Sequence, residues 1–138
     1  MEYALSNDSI SIKVSTAGGS FTSIEADGRE YLWQGDPAVW SGQAPICFPI
    51  CGGLRDGNAM TFAGHHVKLA RHGFARKQEW KLLSQSESEL AMCLASEDNA
   101  ALLSDYPYPF KLVARYTLEG TAVRVSYEVT NEGTEDMP

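Results

Sequence analysis

Residues 69–76, Leu-Ala-Arg-His-Gly-Phe-Ala-Arg, place the imidazole of His72 directly after the guanidinium of Arg71 and four residues before that of Arg76. Imidazole has an ordinary pKa near neutrality, and flanking cations favour its uncharged form, which can both donate and accept hydrogen bonds. Arginine forks suit bidentate contacts with paired oxygens. Gly73 carries no side chain, so a ligand can approach the backbone there. These residue types predict a polar, anion-tolerant pocket in which His72 meets a hydroxyl and Arg55, Arg71 and Arg76 clamp hydroxyls or phosphate. A histidine at a strand end, bonded to backbone, is the competing reading of His72, and solvated surface charge that of the arginines.

Charge distribution supports a local site. Residues 55–77 hold Arg55, Lys68, Arg71, Arg76 and Lys77 against Asp56, a window of +4 in a chain of net charge −7, leaving −11 on the remainder. A basic spot in an acidic protein disfavours non-specific attraction to polyanions, so nucleic acid is not an expected partner. No stretch approaches the ~20 apolar residues needed to span a bilayer, so no membrane partner is expected either. The N-terminus lacks a basic segment followed by an apolar run, and the chain reads as cytoplasmic.

The other reactive side chains divide between packing and surface. Cys47, Cys51 and Cys93 are odd in number and contain no Cys-x-x-Cys pair, which argues against a disulfide framework. Cys47 and Cys51 form a formal ligand set with His65, His66 or His72. They lie in the apolar run Ile46–Cys51, however, so the expectation is buried small hydrophobes and no metal. His65 and His66 are neighbours that point to opposite sides of a strand and read as surface. Among the aromatics, Trp80 and Phe110 read as core, while Trp40, in the loop-like stretch 36–42, is the one placed to line a site. There is no Gly-x-Ser-x-Gly, Walker-type loop, His-Glu-x-x-His or Gly-x-Gly-x-x-Gly, so serine hydrolase, nucleotide and zinc-protease chemistries lack support and no cofactor is expected.

The elements that must position these residues are strands. Period-2 alternation puts Ile10, Ile12 and Val14 on one face, and Glu79–Leu83 and Leu90–Leu94 are further short strands. Phe110, Leu112, Ala114, Tyr116 and Leu118 share one face, and Val123, Val125, Tyr127 and Val129 share a face of the next run, with Glu119-Gly120 between them as a hairpin turn. Ala17–Ser20 separates two early strands, and Asp27-Gly28 punctuates a hairpin into Arg29–Trp33. From Ala44 to Gly57, prolines and glycines interrupt the apolar pattern and suggest a ligand wall rather than a central strand. Residues 95–103 lack β-branching and suit a short helical turn. The expected architecture is an all-β, antiparallel β-sandwich forming one domain over 1–138. Its last strand is left without edge protection, so the domain reads as incomplete at the C-terminal end, and a homodimer through the exposed strand edge is an expected partner.

In order along the chain, Pro45-Ile46-Cys47-Phe48-Pro49-Ile50-Cys51-Gly52-Gly53-Leu54-Arg55, His72-Gly73-Phe74-Ala75-Arg76, Tyr108-Pro109-Phe110 and Tyr127-Glu128-Val129-Thr130-Asn131 resemble the aldose 1-epimerase (galactose mutarotase-like) family, in its LacX-like bacterial branch. The resemblance implies the N-terminal part of a galactose mutarotase-like supersandwich of roughly twice this length. It also implies a cofactor-free interconversion of the anomers of free or phosphorylated hexoses by a general acid and a general base. His72 is similar to the family's first, substrate-binding histidine, Arg55 to its early arginine, and Arg76 to the arginine that follows His-Gly-Phe-Ala in sugar-phosphate epimerases. Gly52-Gly53-Leu54 departs from the Gly-Arg of some relatives. The family's second histidine and its glutamate base would both fall beyond Pro138, so the resemblance implies a sugar or sugar-phosphate ligand for a chain that lacks the main proton-transfer pair.

Overall fold

The computed structural model describes residues 1–138. Strands β1 (Glu2–Ser6), β2 (Ile10–Ser15), β3 (Phe21–Ala26) and β4 (Arg29–Glu30) form an antiparallel meander, paired in that order. A small ribbon of β5 (Asn58–Met60) and β6 (His66–Lys68) follows. The second meander contains β7 (Lys81–Gln85), β8 (Glu89–Ala95), β9 (Phe110–Glu119) and β10 (Ala122–Asn131), with β10 and β7 at its edges. As the alternation predicts, the two sheets meet through one core that joins Leu5, Ile10, Ile12 and Val14 to Leu90, Met92, Phe110, Leu112 and Tyr116. Burial of a large apolar side chain contributes about 1.5–3 kcal/mol, so these alternating positions supply most of the driving force for the fold.

Turn chemistry sets the connections. Asp27 and Gly28 both take positive φ, at 51° and 69°, between the paired residues Ala26 and Arg29, giving a two-residue hairpin whose twist matches its strands. At the other end, Glu119 pairs with Ala122 across Gly120-Thr121. Gly19 is required for a different reason. A Cβ there would lie 2.4 Å from the Trp80 ring, which is itself buried in the core between the sheets. The outer face of β8 is also covered. Ala91, Cys93 and Ala95 lie opposite Arg115, Val113 and Lys111 of β9, so long aliphatic stems flank small side chains.

Several expectations are corrected. The run Arg29–Trp33 forms a strand only at its first two residues, because the Glu30 carboxylate accepts the N–H groups of Ile24 and Leu32 at 2.8 Å each and turns the chain away. Tyr31 and Trp33 are consequently exposed. The helical turn expected over 95–103 is split between a 3₁₀ turn at Ser96–Asp98 and the one-turn helix α1 (Leu102–Asp105). Cys47 and Cys51 are not buried hydrophobes. Ile46 takes the inner side, the alternation throws Cys47 outward, and Cys51 enters the glycine turn, so both thiols are exposed while Cys93 is buried. No helix is long and apolar enough to cross a membrane.

The strand β10 lies at the sheet edge, and its inward face is covered only in part. Val123 and Val125 pack against the core, but Tyr127 and Val129 on the same face are 56% and 46% exposed.

Candidate functional site

The site is built where two irregular segments cross. Residues 44–57 run between β4 and β5, and residues 69–80 return from β6 to β7. The Phe48 carbonyl accepts the N–H groups of Phe74 at 2.9 Å and Ala75 at 3.2 Å, and the His72 N–H donates to the Gly52 carbonyl at 2.6 Å. Gly73 lies at the crossing. A Cβ there would be 2.1 Å from the Phe48 oxygen, and its φ of 70° is in the left-handed region, so only glycine fits. The return segment is tied in turn to the first sheet, with Trp80 donating its N–H to Thr16 O at 2.7 Å and Gly18 donating to Gln78 O at 2.8 Å.

His72 is held in a strained conformation, φ 68°, uncommon for a residue with a side chain. Its ring orientation is fixed as well, because the Gly52 N–H donates to Nδ1 at 2.9 Å. Nδ1 therefore holds the lone pair, and in the neutral ring Nε2 carries the proton. The imidazole presents an N–H donor at its free end. The backbone-bonded reading of His72 is met at Nδ1, and Nε2 is left without a partner from the chain.

The remaining residues divide into groups. Cys47, Cys51 and His72 place one ligand atom each within 4.8 Å of one another. Burial pushes the Cys47 thiol above its ordinary pKa, the neighbouring Cys51 adds to the rise, and the Arg76 charge opposes it. Burial likewise raises the Tyr127 hydroxyl, with Cys47 contributing. Tyr127 also shares a recess of about 340 Å³ with Cys47, Phe48 and Val129. Arg76 turns its Nη2 to the Arg71 carbonyl at 2.9 Å, while its Nε is buried with no partner. Arg76 and Trp40 line a second, polar recess of about 450 Å³ with Ser15, Ser20, Thr22 and Lys77. The loop holding Trp40 is closed by its N–H bond to Asp36 O at 2.7 Å, and the Trp33 indole caps it through Trp40 O at 2.7 Å.

The structure thus brings His72 beside the cysteines and joins Arg76 with Trp40. Arg55, in a 3₁₀ turn at Arg55–Gly57, and Arg71 are exposed. Neither is part of the recess that holds Arg76 and Trp40. His65 stands apart, bonded to Glu135 at 2.6 Å, and His66 is exposed. The sequence offers Cys47 and Cys51 with His65, His66 or His72 as a formal ligand set but does not single out His72, and it does not disclose the exposure of Tyr127. The alternation around Ile46 and Phe48 carries a signal for the outward cysteine, but nothing local announces that residue 72 folds back onto residue 52.

Two facing antiparallel meanders, with a histidine turn strapped across one side, define a galactose mutarotase-like β-sandwich. The fold superposes with a TM-score of 0.92 on the galactose mutarotase related enzyme of Lactobacillus acidophilus, at 28% identity over 99% of this chain and 45% of that one. It superposes equally, at 0.92, on a galactose mutarotase-like protein of Lactobacillus casei ATCC 334, with 26% identity over 99% of this chain and 46% of that one. The chain belongs to the aldose 1-epimerase family, whose model matches residues 1–138. Among curated relatives, the plasmid-encoded protein LacX of Lactococcus lactis subsp. lactis is 42% identical over 143 residues, which cover 98% of this chain and 46% of the relative. The chain spans about half the length of the curated relatives it matches.

Proposed function

We propose that these 138 residues form the sugar-binding part of an aldose 1-epimerase acting at the anomeric centre of a free or phosphorylated hexose. The observation that carries this reading is the His72 ring, held by the Gly52 N–H so that a donor, Nε2–H, faces away from the backbone. A fixed donor of this kind binds a sugar oxygen without the entropy cost of ordering a mobile side chain. Arg76 supplies the second contact, its guanidinium lining the polar recess beside Trp40 where a fork can meet paired oxygens. The exposed Trp40 offers an aromatic face to a sugar ring, and Lys77 beside Arg76 suits a phosphate at that end. Arg55 and Arg71 belong to this reading as outer contacts, whereas the side-chain-free approach at Gly73 is taken by the Phe48 carbonyl rather than by a ligand.

In this reading His72 binds and orients. Its Nδ1 lone pair is already engaged, so the neutral ring offers no free acceptor for the anomeric proton. Ring opening requires a base at that hydroxyl and an acid at the ring oxygen, and both would come from the part of the family's length that this chain does not span. Exposed, unpaired thiols on Cys47 and Cys51 suit a reducing, cytoplasmic setting.

Polarimetric mutarotation and calorimetric binding with glucose, galactose and a hexose 6-phosphate test the proposal. The expected result is saturable binding weakened by His72→Ala, with little rate acceleration by the 138 residues. Full epimerase activity would show that the acid and base lie within the chain, and absence of binding at millimolar sugar would overturn the sugar site. The exposed Tyr127 and Val129 on the edge strand β10 favour a second reading, a module that pairs with another copy through that edge. A clean monomer in light scattering would count against it.

A further inference from the structure

We propose that Cys47, Cys51 and His72 form a binding site for one thiophilic d¹⁰ metal ion of the zinc class. Three donors converge. One ligand atom from each residue lies within 4.8 Å of the other two. Tetrahedral zinc, with bonds of about 2.3 Å to sulfur and about 2.0 Å to nitrogen, needs donors roughly 3.5–3.8 Å apart. Closing the cluster therefore requires a shift of about 1 Å, within the range of ordinary side-chain rotation about χ1.

Their convergence does not depend on chance loop placement. The cysteine-bearing and histidine-bearing segments are linked by the Phe48 carbonyl to the N–H groups of Phe74 and Ala75, and by the His72 N–H to the Gly52 carbonyl. The donors thus sit on a cross-linked frame, which lowers the ordering cost of coordination. Both cysteine residues lie at the surface, Cys51 the more open, so an ion can enter from that side.

The tautomer is also suitable. The bond from the Gly52 N–H leaves the imidazole lone pair on Nδ1, on the side of the Cys51–Gly52 peptide. An ion taking that lone pair displaces only a glycine N–H. Gly52 has φ 102° and open space on the side where a Cβ would stand, which gives the Cys51–Gly52 peptide room to turn while the Gly52 carbonyl keeps the His72 N–H. Coordination releases the two Sγ protons to water, while the ring keeps its proton on Nε2. Two thiolates and a neutral imidazole around a divalent ion carry no net charge, so the nearby Arg76 does not oppose binding. The fourth position would be filled by water, as in open zinc sites. Sulfur donors select zinc-class or softer ions over magnesium or calcium.

This assignment does not depend on the sugar reading. The test is titration of the reduced chain with Co²⁺ and then Zn²⁺. Cobalt alone should give visible d–d bands with a sulfur-to-metal charge-transfer shoulder and release two protons, and one equivalent of Zn²⁺ should abolish the bands with no further proton release. Cys47→Ser and Cys51→Ser should each weaken binding by at least about tenfold, the cost already typical of outer-shell partners. His72→Ala should weaken it as well and shift the d–d bands, whereas Cys93→Ala, whose thiol is buried in a separate cluster, should change neither. Cobalt binding without charge transfer, or Zn²⁺ binding that survives the Cys47→Ser/Cys51→Ser double substitution, would overturn the proposal.

Discussion

The two sheets and the strap that joins residues 44–57 to 69–80 are built by different means. In the sheets, position follows from repetition. Alternate residues of β2, β8 and β9 fall on one face, and the core residues Ile12, Met92, Leu112 and Tyr116 need only be apolar and of suitable size. In the strap, position follows from individual contacts: one carbonyl receiving two N–H groups, one glycine with no room for a methyl group, and one histidine at positive φ. A regular sheet spreads its stability over many exchangeable contacts, whereas the strap concentrates geometry in a few that cannot be exchanged. Ligand-binding residues are disproportionately found on irregular segments braced by a regular scaffold, and the strap fits that description.

The difference can be broken most strongly from the sheet side. Phe110→Ala removes a fully buried ring from β9 and should cost about 3–5 kcal/mol in urea unfolding, with loss of both recesses. A cost below ~1 kcal/mol would mean that the core is not shared as described. Gly73→Ala attacks the strap instead. The new methyl group would meet the Phe48 oxygen, and the expected loss is about 2–3 kcal/mol, together with sugar binding. Unchanged stability would show that the crossing is looser than its hydrogen bonds indicate.

His72→Gly sharpens the contrast further. Glycine relieves the positive φ but gives up the bond from Gly52, so stability should stay within about 1 kcal/mol of the parent chain, while sugar affinity falls roughly five- to tenfold. Parallel loss of stability and affinity would make His72 structural. On the uncovered part of β10, Tyr127→Ser should change stability by no more than ~1 kcal/mol and should reduce self-association in light scattering.

The smallest effect concerns Glu30. Burial pushes its carboxyl upward, but hydrogen bonds from the Ser23 hydroxyl and from the N–H groups of Ile24, Leu32 and Tyr31 together hold it below the usual value. A pKa lowered by folding means that the unfolded chain binds the proton more readily. Its stabilisation is therefore present above the unfolded-state pKa and is lost as pH falls through the folded-state one. Glu30→Gln should flatten this part of the acid limb in pH-dependent unfolding, and an unchanged limb would refute the assignment.

Much of this fold was legible residue by residue. Alternation identifies the buried faces of β2 and β9, Asp27-Gly28 identifies its hairpin, and the prolines and glycines from 44 to 57 mark the irregular wall. Burial depends on local periodicity, so it can be read from one strand at a time. The site was legible only in part. His72, Arg76 and Trp40 stood out by type, but the sequence could not show that Arg76 and Trp40 line one recess while His72 joins the cysteines. The apolar run around Cys47 and Cys51 predicts burial of both, whereas its irregular path leaves both residues exposed.

By itself, the sequence determined the sandwich class, the alternation of its inner faces and the identity of a basic segment within an acidic chain. Tertiary structure alone decided which nitrogen of His72 is free, where the two outer cysteines meet it and how far the inner face of β10 is left uncovered. Periodicity is a property of neighbouring residues, whereas these three outcomes depend on hydrogen bonds and packing between segments twenty or more residues apart, whose pairing is specified only when the whole chain has closed.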